Sequence, residues 1–88
     1  MPPPRQSTPR SPEHAALGEA VRLARVERGM SQEQLADATP IHITYLGGVE
    51  RGTRKPSYET VVRLARALAL EPGELVTRAD RVRASDPR

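Results

Sequence analysis

Residues 30–56 read MSQEQLADATPIHITYLGGVERGTRKP, and this stretch decides how the chain folds. Ser31 and Gln34 make an S-x-x-Q capping box, which satisfies two orphan amides at the start of a helix. Leu35 and Ala36 supply that helix with a buried side. Pro40 biases Thr39 out of the helical region, so the helix ends near Ala38. A second short helix is expected from about His42 to Arg51, with Leu46 and Val49 facing inward and Gly52 as its stop. A basic run follows, Arg51, Arg54 and Lys55, with no acid after Glu50. The stretch is therefore a capped helix, a turn, a second helix and a basic loop.

The flanks add three more helices. Upstream, a helix from Glu13 or His14 to Arg28 carries Leu17, Val21 and Ala24 at i, i+4, i+7, a single apolar stripe. Glu13 suits its start and Arg28 its end by the macrodipole rule, and Gly29 is a natural residue past its end. Downstream, Ser57 caps a helix running to about Ala69, with Val61, Leu64, Ala65 and Leu68 on its stripe. Pro72 at a first-turn position, with Leu75 and Val76, signals a short fifth helix. No internal repeat and no alternating strand pattern is present. The expected fold is all-α, a compact five-helix bundle over residues 13–77 that contains a helix-turn-helix.

Both ends have a different composition. Residues 1–12, MPPPRQSTPRSP, hold five prolines and no aliphatic residue larger than Met1, so disorder is expected there. Thr8-Pro9 and Ser11-Pro12 read as modification sites or, more simply, as a solvated tail. Residues 78–88 form a charged tail, either an extension of the last helix or disordered.

Composition excludes several classes. With 88 residues the chain is one small domain. It has no cysteine, so neither a disulfide framework nor a thiolate zinc site is available, and His14 and His42 are too few for a metal cluster. No apolar run approaches the roughly 20 residues of a membrane span. No secretory signal follows Met1, so a cytoplasmic protein is expected. Phe and Trp are absent, which leaves core packing to Leu, Val, Ile, Ala and Met and favours helices. The net charge of +3 arises at the ends, because His14 to Thr77 holds eight basic and eight acidic residues. Total charge is therefore no argument for a polyanionic partner, whereas the local run at 51–55 is one.

The order of parts in residues 30–56 is how a small domain puts one helix into a DNA groove and anchors it on adjacent phosphates. His42, Ile43, Thr44 and Tyr45 lie at the leading end of the second helix, the end that reaches base edges in that geometry. Thr44 offers a hydroxyl to a base edge and a methyl to thymine. Tyr45 reads either as a phosphate contact or as an aromatic at the core edge. His42 reads either as a helix cap or as a DNA contact. Ile43 can make only apolar contact. Gly47 and Gly48 cost about 1 kcal/mol each against Ala inside a helix. They either admit a sugar-phosphate strand or are tolerated because packing holds the helix. Arg51, Arg54 and Lys55 would neutralise flanking phosphates. No nucleophile–base set and no phosphate-binding Gly loop is present, and Glu33 with Asp37 reads as a solvated face, so an enzyme is not expected. No cofactor, metal or small-molecule ligand is implied.

G-M-S-Q-x-x-L-A at 29–36 and V-E-R-G-x-x-x-P at 49–56, with Leu17, Gly18, Val21, Arg25, Leu46, Leu64, Leu68 and Leu75, resemble the phage-repressor-like helix-turn-helix family of the Cro/C1 or XRE type. The string TYLGGVERGTRKPS is also similar to restriction-modification controller proteins, which belong to the same family. The resemblance implies a transcriptional regulator, dimeric on double-stranded DNA, with the third helix as its recognition helix. It implies that Gln32 touches a phosphate and braces a base-contacting side chain. It implies a buried Arg25–Glu50 pair that sets the angle of the recognition helix, and a base-reading position at Gly48 that here lacks its side chain. It also marks Pro40 as a departure from the usual Gly, so the turn is expected to take another path. A homodimer using Leu70, Leu75 and Val76 is expected. The alternative is a protein-interaction module, such as an antitoxin or adaptor, built on the same bundle.

Overall fold

The computed structural model describes residues 8–86. Of the tail expected to be disordered over residues 1–12, residues 1–7 lie outside that range, as do the last two residues of the charged tail. The expectation is corrected for Arg10 to Pro12, where the Arg10 amide bonds to the Gly52 carbonyl at 2.8 Å and Ser11 and Pro12 open the first helix. Five helices follow in order: α1 (Pro12–Glu27), α2 (Gln32–Ala38), α3 (Ile43–Arg51), α4 (Tyr58–Ala67) and α5 (Pro72–Ser85). No strand occurs among the described residues. No helix among them is long and apolar enough to cross a membrane.

Side chains start most of these helices. Ser11 accepts from the His14 amide at 3.0 Å and opens α1 one residue earlier than expected, with Pro12 in the first turn. Ser31 and Gln34 form the full reciprocal box, at 3.0 and 2.8 Å. Ser57 caps α4 through the Thr60 amide at 3.1 Å. The α5 start has no side-chain cap and relies on Pro72.

One device ends four of them. Past each of α1 to α4 a residue with positive φ turns the chain: Gly29 at 68°, Pro40 at 30°, Gly52 at 79° and Ala69 at 59°. The next amide then bonds to the carbonyl five residues back, as from Met30 to Arg25 at 3.1 Å and from Leu70 to Ala65 at 2.8 Å. The expectation that Pro40 would send the turn along another path is corrected here. The chain keeps the left-handed turn because the Ile41 amide reaches the Ala36 carbonyl at 3.0 Å and Ile41 packs on the core. The ring is held far from its relaxed φ near −65°, and it lacks the N–H that would supply the second bond of the motif.

The core is aliphatic. Val21, Leu35, Leu46, Val49, Leu64, Leu68 and Leu75 are almost wholly buried, with Ala20, Ala24, Ala36 and Ala65 between them. The Thr39 hydroxyl is buried too and donates to the Leu35 carbonyl at 2.7 Å. Leu17 and Val61, expected on buried stripes, are only half-buried. Val76 is 55% exposed, and so is not a core partner of Leu75.

The fifth helix is longer than the short one expected, and it continues past Thr77 to Ser85. Charge ties it alongside α1. Arg83 Nε lies 3.3 Å from Glu13 Oε2, and Arg78 bridges Glu27 at 3.0 Å and Glu74 at 3.1 Å.

Candidate nucleic-acid interface

The α3 helix is fixed on its inner side and open on its outer side. Its inner side carries Leu46, Val49 and Glu50, all buried. Glu50 is held by two other helices through three hydrogen bonds. Arg25 of α1 grips it through Nε at 2.7 Å and Nη2 at 3.1 Å, while Gln32 of α2 donates to it at 2.9 Å. The third nitrogen of Arg25 donates to the Met30 carbonyl at 2.9 Å, just ahead of α2. A carboxylate with this many donors keeps its charge satisfied in a nearly dry setting. The expected Arg25–Glu50 pair is present, and Gln32 belongs to the same network.

Gly18 brings α1 against α3. A methyl group there would collide with the backbone carbonyls of Val49 and Glu50. A missing side chain and a buried ion pair therefore set the position of α3 together.

The outer face begins with His42, whose Nδ1 accepts from the Thr44 amide at 3.0 Å. His42 is thus the helix cap, and its ring stays at the surface. Ile43 and Thr44 are exposed beside it. Tyr45 is half-buried with its ring packed on the core, the core-edge reading of that residue. Arg51, Arg54 and Lys55 are exposed at the far end and form no ion pair or side-chain hydrogen bond with a described residue. Arg22, Arg63 and Arg78, by contrast, are engaged by acids. Hydrogen bonds donated to Glu19 raise the Arg22 guanidinium pKa, and those donated to Glu27 and then Glu74 raise that of Arg78.

Gly48 is not brought to the surface with the others. It is buried beneath the Arg54 side chain, whose Cγ occupies the place a methyl would take. Gly47 is likewise covered by the guanidinium of Arg51. Both glycines are floors for arginine side chains, Gly47 for Arg51 and Gly48 for Arg54. No local pattern announces that role, because the covering group comes from four or six residues further on.

A helix-turn-helix family model matches residues 21–75. This chain belongs to the XRE, or Cro/C1, helix-turn-helix family. It is a helix-turn-helix DNA-binding transcriptional regulator, and its relatives in the family are regulators and not enzymes. Control protein C.SmaI of Serratia marcescens is 44% identical over 62 residues, covering 70% of this chain and 74% of its own. The crystal structure of the restriction-modification controller protein C.AhdI from Aeromonas hydrophila is 40% identical, with a TM-score of 0.72 over 74% of this chain and 98% of that one. A likeness in fold alone extends to the controller protein C.Esp1396I, solved as a tetramer on its natural 35 base-pair operator. It is 21% identical, with a TM-score of 0.79 over 85% of this chain and 99% of that one.

Among XRE-type residues of this chain, Leu75 was read as a candidate for self-association, and that reading is corrected. It is fully buried within the bundle. Leu70 is half-buried and Val76 is exposed, so these two remain accessible. Val76 borders an apolar groove between α1, α4 and α5 that also takes in Leu17, Tyr58, Val61 and Ala79.

Proposed function

We propose that this protein is a controller-type regulator that binds a specific duplex DNA sequence in the cytoplasm, with α3 in the major groove. One observation carries the reading: the outer face of α3 is exposed at His42, Ile43 and Thr44 while its inner face is locked by Arg25, Glu50 and Gln32. In this reading Thr44 and Ile43 meet base edges, and His42 and Tyr45 lie beside them. Arg54 and Lys55 hold phosphates from the loop after α3, with Arg51 at the helix end. Gln32 contributes by orienting Glu50 more than by touching DNA. Residues 13–77 form the binding unit, with α5 continuing behind it.

We further propose a homodimer whose subunits meet through the groove beside Val76. A two-fold pair would then read half-sites about 34 Å apart. The similarity to C.SmaI and C.AhdI over most of their lengths supports the controller assignment, and the assembly of C.Esp1396I supports self-association.

Selection from random duplex DNA tests the whole reading. Two-fold symmetric sites should be enriched, and affinity for them should fall steeply with salt, by about 0.9 in log K per neutralised phosphate per unit of log salt. Replacing Arg51, Arg54 and Lys55 together by Ala should abolish that binding. Salt-insensitive affinity would defeat the mechanism.

A further inference from the structure

Two of the five outward positions of α3 have no side chain, and a third cannot hydrogen-bond. At 3.6 residues per turn, Ile43, Thr44, Gly47, Gly48 and Arg51 span an arc of about 140°, roughly opposite the buried Leu46 and Val49, with buried Glu50 at the edge beside Ile43. Gly47 and Arg51 sit near the middle of that arc. Near the centre of the face only Arg51, and Thr44 about 20° from it, can hydrogen-bond, and of the two Arg51 alone is cationic and carries a donor fork.

The Arg51 side chain does not extend towards the flank. It folds back one turn, so that its Nη1 lies 3.1 Å, and its Cζ 3.9 Å, from where a Cβ on Gly47 would stand. The guanidinium thus rests over Gly47, between Ile43 and Thr44 at the leading end and Arg54 at the other. It remains exposed, and no described acid neutralises it. Arg54 is seated in the same way on Gly48, but by its aliphatic stem.

From this geometry, and resting on the DNA-binding reading above, we propose that Arg51 is a base-reading residue that selects a guanine in each half-site, with Gly47 as the seat that places it there. A planar guanidinium is the side chain that pairs bidentately with guanine O6 and N7 in the major groove. A seat that holds the fork over the helix face lowers the ordering cost of that contact. Arg54 and Lys55 keep the phosphate role.

The test measures affinity of the full chain for its selected duplex and for duplexes carrying each single base-pair change, across a range of salt concentrations. A bidentate guanine contact is worth about 1–3 kcal/mol, so Arg51→Ala should weaken the selected site by roughly 5- to 150-fold. It should also erase discrimination at one G·C pair per half-site while leaving random-sequence duplex little affected. Arg51→Lys, which keeps the charge, should lose the same discrimination. Gly47→Ala raises helix propensity, so folding is not at risk, and it should blunt discrimination at that same pair by displacing the guanidinium. Uniform weakening on every sequence, with the salt slope reduced by about one, would make Arg51 a phosphate ligand and overturn the assignment. Unchanged discrimination in Gly47→Ala would overturn the role of the seat. A wild-type chain with no preferred duplex would overturn the DNA-binding reading itself, and this assignment with it.

Discussion

Arg25 holds Glu50 with two nitrogens, 2.7 and 3.1 Å from its carboxylate oxygens, across 25 positions of sequence. The Glu50 side chain is 4% exposed and that of Arg25 14%. Neither charge has water to fall back on. Glu50→Gln or Arg25→Met should therefore cost roughly 3–5 kcal/mol, since removing one partner strands the other. Urea denaturation followed by circular dichroism measures this. A loss under 1 kcal/mol would mean that the pair is dispensable to the fold.

Gly18 makes a second, purely steric prediction. Its added methyl would meet main-chain oxygens of Val49 and Glu50, which cannot rotate aside as a side chain could. Gly18→Ala should destabilise by about 3 kcal/mol despite improving helix propensity. It should also reduce DNA affinity at temperatures where the protein is still folded, because α3 must shift outward.

Two helix ends invite stabilising changes. Ala69 sits at φ 59° and Pro40 at φ 30°, both in the region that side chains with a Cβ avoid. Ala69→Gly should stabilise by about 1 kcal/mol, raising Tm by roughly 4–8 °C. Pro40→Gly should do at least as well, since it releases ring strain and restores an amide that can bond to the Asp37 carbonyl. Thermal melts decide both. A lower Tm for Pro40→Gly would show that the ring limits the unfolded chain more than it strains the folded one.

Acid should loosen the bundle where α5 meets α1. The pKa of Glu13 lies below its ordinary value of 4.5, through a bond from its own backbone amide and then through Arg83. That of Glu19 is lowered through Arg22. A carboxylate whose folded pKa is depressed gives stability that is complete above 4.5 and is lost as pH falls through the folded value. Tm should therefore drop as pH goes below 4.5, and less so in Glu13→Gln. Both groups face water, so added salt should shrink the difference.

Much of the fold was legible because its signals are local. Ser31 with Gln34, and Ser57, announce helix starts, and Gly29 and Gly52 announce ends. The end at Ala69 was not, because alanine favours helix and only the amide of Leu70 reaching back to Ala65 puts it at positive φ. The extent of α5 was hidden for a related reason. Its second half has few apolar residues and is tied down by Glu13 and Glu27, which are 70 and 51 positions away from their arginines. The exposure of His42, Ile43 and Thr44 was readable from their place at the leading end of α3. The burial of Gly48 was not readable, because it comes from a side chain six residues later. Leu75 was misread as a surface residue, because its burial depends on how α5 settles on the other helices.

The threefold grip on Glu50 has a calorimetric consequence. A reading helix already rigid in the free protein has little order left to gain when it docks. Circular dichroism should then show no added helicity on complex formation, and the heat-capacity change should track the surface buried rather than any coupled folding.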